Sequence, residues 1–132
     1  VTKKIFLDKN TINLLDNYHI DYIVDACDSV EAKKLLIDYS LDKNIKLIAS
    51  MGTANKLDPT KLAVLDIRKT SYDPLAKILR KYVMDKHTNK KIMVVSTTES
   101  PIRKDCLSSL IYVPATAGLL CSSYIIRDIL ES

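Results

Sequence analysis

An aspartate that follows an apolar run is the residue in this sequence best placed for chemistry. Residues 22–27, YIVDAC, are apolar and short enough for a buried strand, and Asp28 separates them from an amphipathic stretch with Leu35, Leu36 and Tyr39. This pattern predicts a strand, a tight turn and a helix. In an open α/β sheet, ligands bind in the crevice outside the carboxyl ends of the strands. Asp28 is therefore a candidate ligand for a hydrated Mg²⁺ ion carried by a nucleotide.

The same aspartate also fits a purely structural role. Asp28 and Glu31 have the three-residue spacing of a capping box, in which two side chains bind free N–H groups at the start of a helix. The pattern alone leaves both interpretations open, the helix cap and the ligand site.

The composition indicates an ordinary soluble globular domain. The chain has 132 residues, of which 47% are apolar and 27% are charged, and its net charge is +4. Its basic residues are scattered, so charge alone gives weak support for nucleic-acid binding. No run approaches the roughly eighteen apolar residues that a membrane span needs, and the start does not resemble a signal peptide. We therefore expect a cytoplasmic protein without a membrane partner.

The three cysteines point to free thiols in a reducing compartment. None lies in a Cys-x-x-Cys pair of the kind that binds zinc. Cys27 and Cys121 have apolar neighbours, which favours small core residues. Cys106 follows Arg103 and Lys104, and nearby cations favour a thiolate, so it is the only cysteine with a candidate chemical role.

The chain alternates between strand and helix patterns. The spacing predicts strands at 4–7, 21–27, 45–50, 62–67 and 91–96, and helices at 10–17, 29–42, from Asp73-Pro74 onwards and at 116–130. Strands linked through helices predict a parallel sheet with right-handed crossovers. The short connection before 62–67 predicts an antiparallel step. The expected fold class is α/β.

Glycine is scarce in this chain. The two glycines, Gly52 and Gly118, cannot form a Gly-x-Gly-x-x-Gly loop. A nucleotide-binding α/β domain normally holds phosphate on such a loop after its first strand. If the chain comes from such a domain, we expect the first half of that domain to lie outside it.

Short motifs along nearly the whole chain resemble a known family. They are VDACDS at 24–29, Lys33, Met51-Gly52, LDPT at 57–60, VLD at 64–66, KTSYDPLA at 69–76, Leu79-Arg80, VST at 95–97 and PATAG at 114–118. They resemble the second half of the ThiF/MoeB/HesA superfamily of ubiquitin-activating-enzyme-like adenylating proteins. The nearer match is the branch that cyclises threonylcarbamoyladenosine in tRNA, the dehydratase branch.

The resemblance implies a Rossmann-like three-layer fold, with parallel strands followed by antiparallel strands. Residues 1–132 would be one domain, the second half of an adenylating-enzyme domain without its glycine-rich nucleotide loop. The implied activity is ATP-dependent adenylation of the threonylcarbamoyl carboxylate on tRNA, followed by ring closure. The isolated chain is expected to be inactive.

The resemblance also implies roles for individual residues. Asp28 matches the family aspartate that engages ATP and its Mg²⁺ ion. Lys33 falls where many members have an arginine near the nucleotide, although a lysine on a helix face is otherwise a solvated surface charge. Asp25 is expected to support the turn and not to bind the metal.

Partners and two further functions remain open at this point. A homodimer is expected, because the family tends to be dimeric and because truncation would expose an edge of the 4–7 strand. The absence of Cys-x-x-Cys pairs argues against the zinc-binding activators of sulfur-carrier proteins. The remaining alternatives are a ThiF/HesA-type activator of a sulfur-carrier or ubiquitin-like protein, and a non-catalytic domain that only binds partners.

Overall fold

Four strands form one mixed sheet in the computed structural model of the chain, which describes residues 1–102, 105 and 108–132. The strands are β1 (Tyr22–Asp25), β2 (Lys46–Ser50), β3 (Leu62–Asp66) and β4 (Met93–Thr97). Their order across the sheet is β1-β2-β4-β3. The β1, β2 and β4 strands are parallel, whereas β3 runs antiparallel to β4. The predicted parallel sheet with an antiparallel step is therefore confirmed.

Helices cover both faces of this sheet and make three layers. The helices are α1 (Val30–Asp42), α2 (Pro74–Lys86) and α3 (Tyr112–Glu131). Neighbouring residues of one strand face opposite sides of a sheet. In β4, Val94 accordingly packs in the core that contains α1 and α2, whereas Val95 packs in the core that contains α3. The three-layer α/β expectation is confirmed.

The start of α2 is the element that local sequence predicted best. Asp73 caps the helix, since its Oδ1 accepts hydrogen bonds from the backbone N–H groups of Leu75 at 2.9 Å and Ala76 at 3.3 Å. Pro74 occupies the first helical position, where a missing N–H has no cost. On the predicted apolar face, Leu79 and Val83 are fully buried.

The first residues of the chain form no strand, which corrects the prediction for 4–7. Residues 1–7 have no regular structure, and Phe6 is 77% exposed. A β-prone run becomes a strand only where a neighbouring strand takes its backbone hydrogen bonds, and here none of the described strands lies beside it. Within the predicted 10–17 helix, Ile12–Asn17 form a 3-10 helix. The open edges of the sheet therefore belong to β1 and β3.

The last helix is longer than its apolar pattern predicted. α3 begins at Tyr112, four residues before the predicted start at Thr116, because Pro114 fits the first turn of a helix. By length and composition, with a mean hydropathy of 1.2, α3 is the one helix of the described chain that would be able to cross a membrane. Its inner face packs on the sheet through Val113, Ala117 and Cys121.

A cluster around Asp38 joins α1 to α2 on the outer side of the sheet. The Asp38 carboxylate accepts hydrogen bonds from the Tyr82 hydroxyl and the Lys86 ammonium, both at 2.7 Å, and lies 2.7 Å from Nε2 of His87. Partial burial acts to raise the pKa of Asp38, but the hydrogen bonds from Lys86, His87 and Tyr82 outweigh it and lower the pKa. The ionised carboxylate therefore stabilises the fold.

We expect acid to weaken the contact between the two helices. A lowered carboxyl pKa contributes stability that is fully present above the pKa of the unfolded chain, about 3.9, and is lost as the pH falls through the folded value. Urea unfolding at pH 7 and near pH 3 measures this loss. Asp38→Asn should reduce the difference in unfolding free energy between pH 7 and pH 3. Asp85→Asn, at an exposed carboxylate, should leave that difference unchanged. Equal pH dependence in both variants would contradict the assignment.

Candidate functional site

The carboxyl ends of the three parallel strands meet at one edge of the sheet. β1 ends at Asp25, β2 at Ser50 and β4 at Thr97. The turn between β1 and α1 lies at this edge and carries Asp28, whose side chain is exposed. The structure thus places the predicted ligand residue at the position where open α/β sheets bind their ligands.

Asp28 is not the cap of α1, and the capping-box interpretation is wrong. The cap is the next residue, Ser29, whose Oγ accepts a hydrogen bond from the N–H of Ala32 at 3.2 Å. Glu31, the other half of the expected box, pairs with Lys34 at 3.2 Å. Because Ser29 satisfies the helix start, the carboxylate of Asp28 is available to a ligand.

Lys33 is fully buried, so its interpretation as a solvated surface charge is also wrong. Its Nζ donates to Oδ1 of Asp25 at 3.0 Å and to the carbonyl oxygen of Ser50 at 2.8 Å. Both charged side chains of the Lys33–Asp25 pair have an exposed fraction of 0%. One lysine on α1 therefore joins the ends of β1 and β2 beneath the turn that carries Asp28.

Asp25 supports that turn, as the sequence predicted. Its Oδ1 accepts hydrogen bonds from the backbone N–H of Cys27 at 3.2 Å and from the Cys27 thiol at 2.9 Å, besides the bond from Lys33. The other oxygen, Oδ2, is buried and has no hydrogen-bond partner among the described residues. Asp25 is thus a structural anion, and Asp28 is the carboxylate of the turn that faces outwards.

The cysteines within the described residues are placed for packing. Burial, followed by the hydrogen bond to Asp25, raises the pKa of the Cys27 thiol. Burial likewise raises the pKa of Cys121. Both thiols stay protonated at neutral pH, which agrees with their prediction as core residues. Cys106, the candidate for a reactive thiol, lies outside the described residues.

Three further hydrogen bonds stabilise the same edge of the sheet. The N–H of Gly52, just after β2, donates to Oδ2 of Asp73 at 2.9 Å, and a Cβ atom at position 52 would lie 3.1 Å from Oδ1 of Asp73. Lys56, which is 3% exposed, donates from Nζ to the carbonyl oxygens of Tyr72 at 3.1 Å and Glu99 at 2.6 Å. The loops that follow β2, β3 and β4 are therefore joined to one another.

Sequence reasoning missed the buried position of Lys33 and the role of Lys56. Helical periodicity contains a signal for the first, because Lys33 shares the face of Leu36, Ile37 and Ser40, all of them buried. No local signal marks Lys56, whose partners lie 16 and 43 residues away along the chain.

The arrangement suits a cation that arrives with its own ligands. Mg²⁺ is usually held by one or two carboxylates together with water and substrate phosphates. Asp28 offers one outward carboxylate on a braced turn. Within the described residues, no group of three or more His, Cys, Asp or Glu side chains forms a metal site.

Several known proteins are similar to this chain over most of its length. No family model matches the chain. A tRNA threonylcarbamoyladenosine dehydratase of Bacillus subtilis (strain 168) is 33% identical over an alignment of 150 positions. The alignment covers 99% of this chain and 59% of that protein. The enzyme of the same name from Escherichia coli (strain K12) is 35% identical over 104 residues, covering 76% of this chain and 37% of that protein.

Solved structures give the same result. The E. coli tRNA N6-threonylcarbamoyladenosine dehydratase, TcdA, in complex with ATP superposes with a TM-score of 0.86 at 27% identity and covers 96% of this chain. The chain in turn covers 55% of that structure and 59% of the B. subtilis protein, so it spans little more than half the length of these two relatives.

The fold is therefore that of ThiF-like α/β proteins, as the motifs predicted. Within that class, the chain is homologous to the tRNA threonylcarbamoyladenosine dehydratases, and the resemblance proposed from the sequence is confirmed.

We expect Lys33→Met to destabilise the protein by about 3 to 5 kcal/mol, because the variant leaves the Asp25 carboxylate buried without its cation. Denaturant unfolding of the full-length gene product measures this cost. The matched control is Lys81→Met, at a side chain that is 80% exposed, with an expected change within about 0.5 kcal/mol.

A double variant separates the charge from the packing. Asp25→Leu combined with Lys33→Met removes both ions and keeps similar volumes, so it should recover most of the lost stability. A double variant as unstable as the single Lys33→Met variant would show that the pair is not an electrostatic unit.

Proposed function

We propose that this chain is part of an ATP-dependent adenylating enzyme, a tRNA threonylcarbamoyladenosine dehydratase. In this reaction the threonylcarbamoyl carboxylate attacks the α-phosphorus of ATP and pyrophosphate leaves, after which ring closure displaces AMP. Homology to dehydratases over 99% of the chain supports the proposal. The structural observation that carries it is the exposed Asp28 carboxylate at the carboxyl edge of the parallel strands, on a turn that a buried ion pair fixes.

Asp28 is the proposed ligand of the Mg²⁺ ion that accompanies ATP. Bound Mg²⁺ neutralises phosphate charge and orients the phosphates for attack. The chain's own contribution is to hold one carboxylate in place. Two contacts do so: the Asp25 bond to the N–H of Cys27, and the Lys33 bridge to Ser50.

Lys33 also belongs to the proposed nucleotide site, but as a positioning residue. Its Nζ already donates to Asp25 and Ser50, which supports an action through the turn. Direct contact between Lys33 and a phosphate stays a prediction of the family resemblance.

The substrate and assembly follow from the same proposal. tRNA is the proposed substrate, and the cytoplasm is the proposed location, both on the basis of the tRNA-modifying relatives. A homodimer is proposed as well. Its support is the outer face of α3, where four large apolar side chains are at least half exposed: Leu119 at 71%, Ile126 at 55%, Ile129 at 50% and Leu130 at 77%.

Neighbouring substitutions at the turn separate ligand binding from helix capping. In the full-length gene product, Asp28→Ala should lower tRNA-dependent ATP–pyrophosphate exchange by about 100-fold, the scale expected when one group that stabilises a transition-state charge is lost. It should leave unfolding nearly unchanged, since the side chain is exposed. Ser29→Ala should show the opposite pattern, a stability loss of about 1 kcal/mol with exchange retained.

Either of two results would contradict the assignment. Exchange unchanged in Asp28→Ala would remove the carboxylate from the nucleotide site. Absence of exchange in the unmodified protein, with tRNA present and ATP binding undetectable, would overturn the enzymatic proposal and favour a domain that only binds partners.

A further inference from the structure

A groove beside the start of α2 is the feature that the nucleotide proposal does not explain. It encloses a cavity of about 510 Å³, lined by Tyr72, Asp73, Pro74, Lys77, Arg80, Ser100 and Pro101. The groove lies at the same edge of the sheet as Asp28, because the N–H of Gly52, just after β2, is bonded to Asp73. A molecule in this groove would therefore lie on the side of the sheet where ATP is proposed to bind.

Tyr72 has an unusual backbone for its side chain. Its φ angle is 56°, in the left-handed region that bulky residues rarely adopt. Such strain persists only where surrounding contacts impose it. Here the imposed contact is the bond from the buried Lys56 ammonium to the Tyr72 carbonyl oxygen, at 3.1 Å. Tyr72 is 61% exposed, so this residue lies at the surface and not in the core.

Two cations stand one helical turn apart beside this ring. Lys77 is exposed, and Nη1 of Arg80 is fixed by bonds to the carbonyl oxygen of Thr70 at 2.6 Å and to its Oγ1 at 2.9 Å. Among the ion pairs of the described residues, none includes Lys77 or Arg80.

The acidic groups near the groove are occupied by the backbone. Asp73 accepts N–H groups from Gly52, Leu75 and Ala76. The Glu99 carboxylate accepts the N–H groups of Leu57 at 2.9 Å and Asp58 at 2.9 Å. Within the described part of the chain, Lys77 and Arg80 thus form no ion pair, and they line the groove together with the exposed Tyr72 and the Asp73 carboxylate.

We propose that this groove binds single-stranded RNA, with a base stacked on Tyr72 and the adjoining phosphates held by Lys77 and Arg80. Proteins that bind unpaired nucleotides combine stacking on aromatic rings with cations that follow the phosphate backbone. A strained, exposed tyrosine and two unpaired cations along one groove supply that combination. The proposal rests on the proposed function, and it assigns an unpaired stretch of the RNA substrate to a specific surface of this chain.

Fluorescence anisotropy of a labelled RNA hairpin, whose unpaired loop contains adenosine, tests the groove in the full-length gene product. Tyr72→Ala should weaken binding about tenfold, since stacking one base is worth about 1 to 3 kcal/mol. Tyr72→Phe keeps the ring and should bind as the unmodified protein does. Lys77→Ala should weaken binding and lower the slope of log K against log salt by about 0.7, the value for one phosphate contact on a single strand. Lys81→Ala, one turn further along α2, should do neither.

Binding of a fluorescent ATP analogue is measured for the unmodified protein and for each variant. This measurement distinguishes a failure of the RNA-binding proposal from a failure of the enzymatic proposal. If both Tyr72→Ala and Lys77→Ala bind RNA as the unmodified protein does and still bind ATP, the RNA-binding role of the groove is overturned and the enzymatic proposal is not. If Lys81→Ala weakens RNA binding as much as Lys77→Ala does, the attraction comes from the general positive charge of α2, and the RNA-binding role of the groove is overturned. Selective loss in the two groove variants, with ATP binding retained, would support it.

Discussion

The buried ion pair between Lys33 and Asp25 is the interaction on which the rest of the site depends. Removing two charges from water is costly, and the cost is recovered only where further hydrogen bonds complete the pair. Here Lys33 also bonds the Ser50 carbonyl oxygen, and Asp25 also bonds the N–H of Cys27. The pair therefore fixes the ends of two strands and the turn between β1 and α1. The ion pair thus supports the turn on which the exposed Asp28 lies, and Asp28 is not part of the pair.

The same principle recurs along the carboxyl edge of the sheet. Lys56 is nearly as buried as Lys33, and it donates hydrogen bonds to backbone carbonyl groups of two separate loops. Asp73 caps α2 while it holds Gly52. Buried charges thus link loops that would otherwise be independent, and the exposed groups Asp28 and Tyr72 stand on that rigid support. For the proposed nucleotide site such preorganisation matters, because small displacements of reacting groups cost large factors in rate.

Local sequence patterns predicted the parts of this fold that local physics decides. Asp73-Pro74 is a cap and first-turn pair wherever a helix follows, and the apolar strands alternate with helices as a parallel sheet requires. α1 begins one residue later than predicted, since Asp28 and Ser29 are both good cap residues and Ser29 is the one that caps the helix. Contacts between distant residues left no such pattern. The bond from Lys56 to Glu99 spans 43 residues, and residues 4–7 would need a neighbouring strand to become one.

If the buried pair holds Asp28 as a ligand for the cation of bound ATP, a crystal structure of the full-length gene product with ATP and Mn²⁺ will show it, because Mn²⁺ replaces Mg²⁺ and gives an anomalous signal. We expect an anomalous peak at coordination distance, about 2.1 Å, from an Asp28 carboxylate oxygen, with Lys33 still bonded to Asp25 and Ser50. A peak coordinated by other residues, or a Lys33 ammonium moved out to the phosphates, would contradict it.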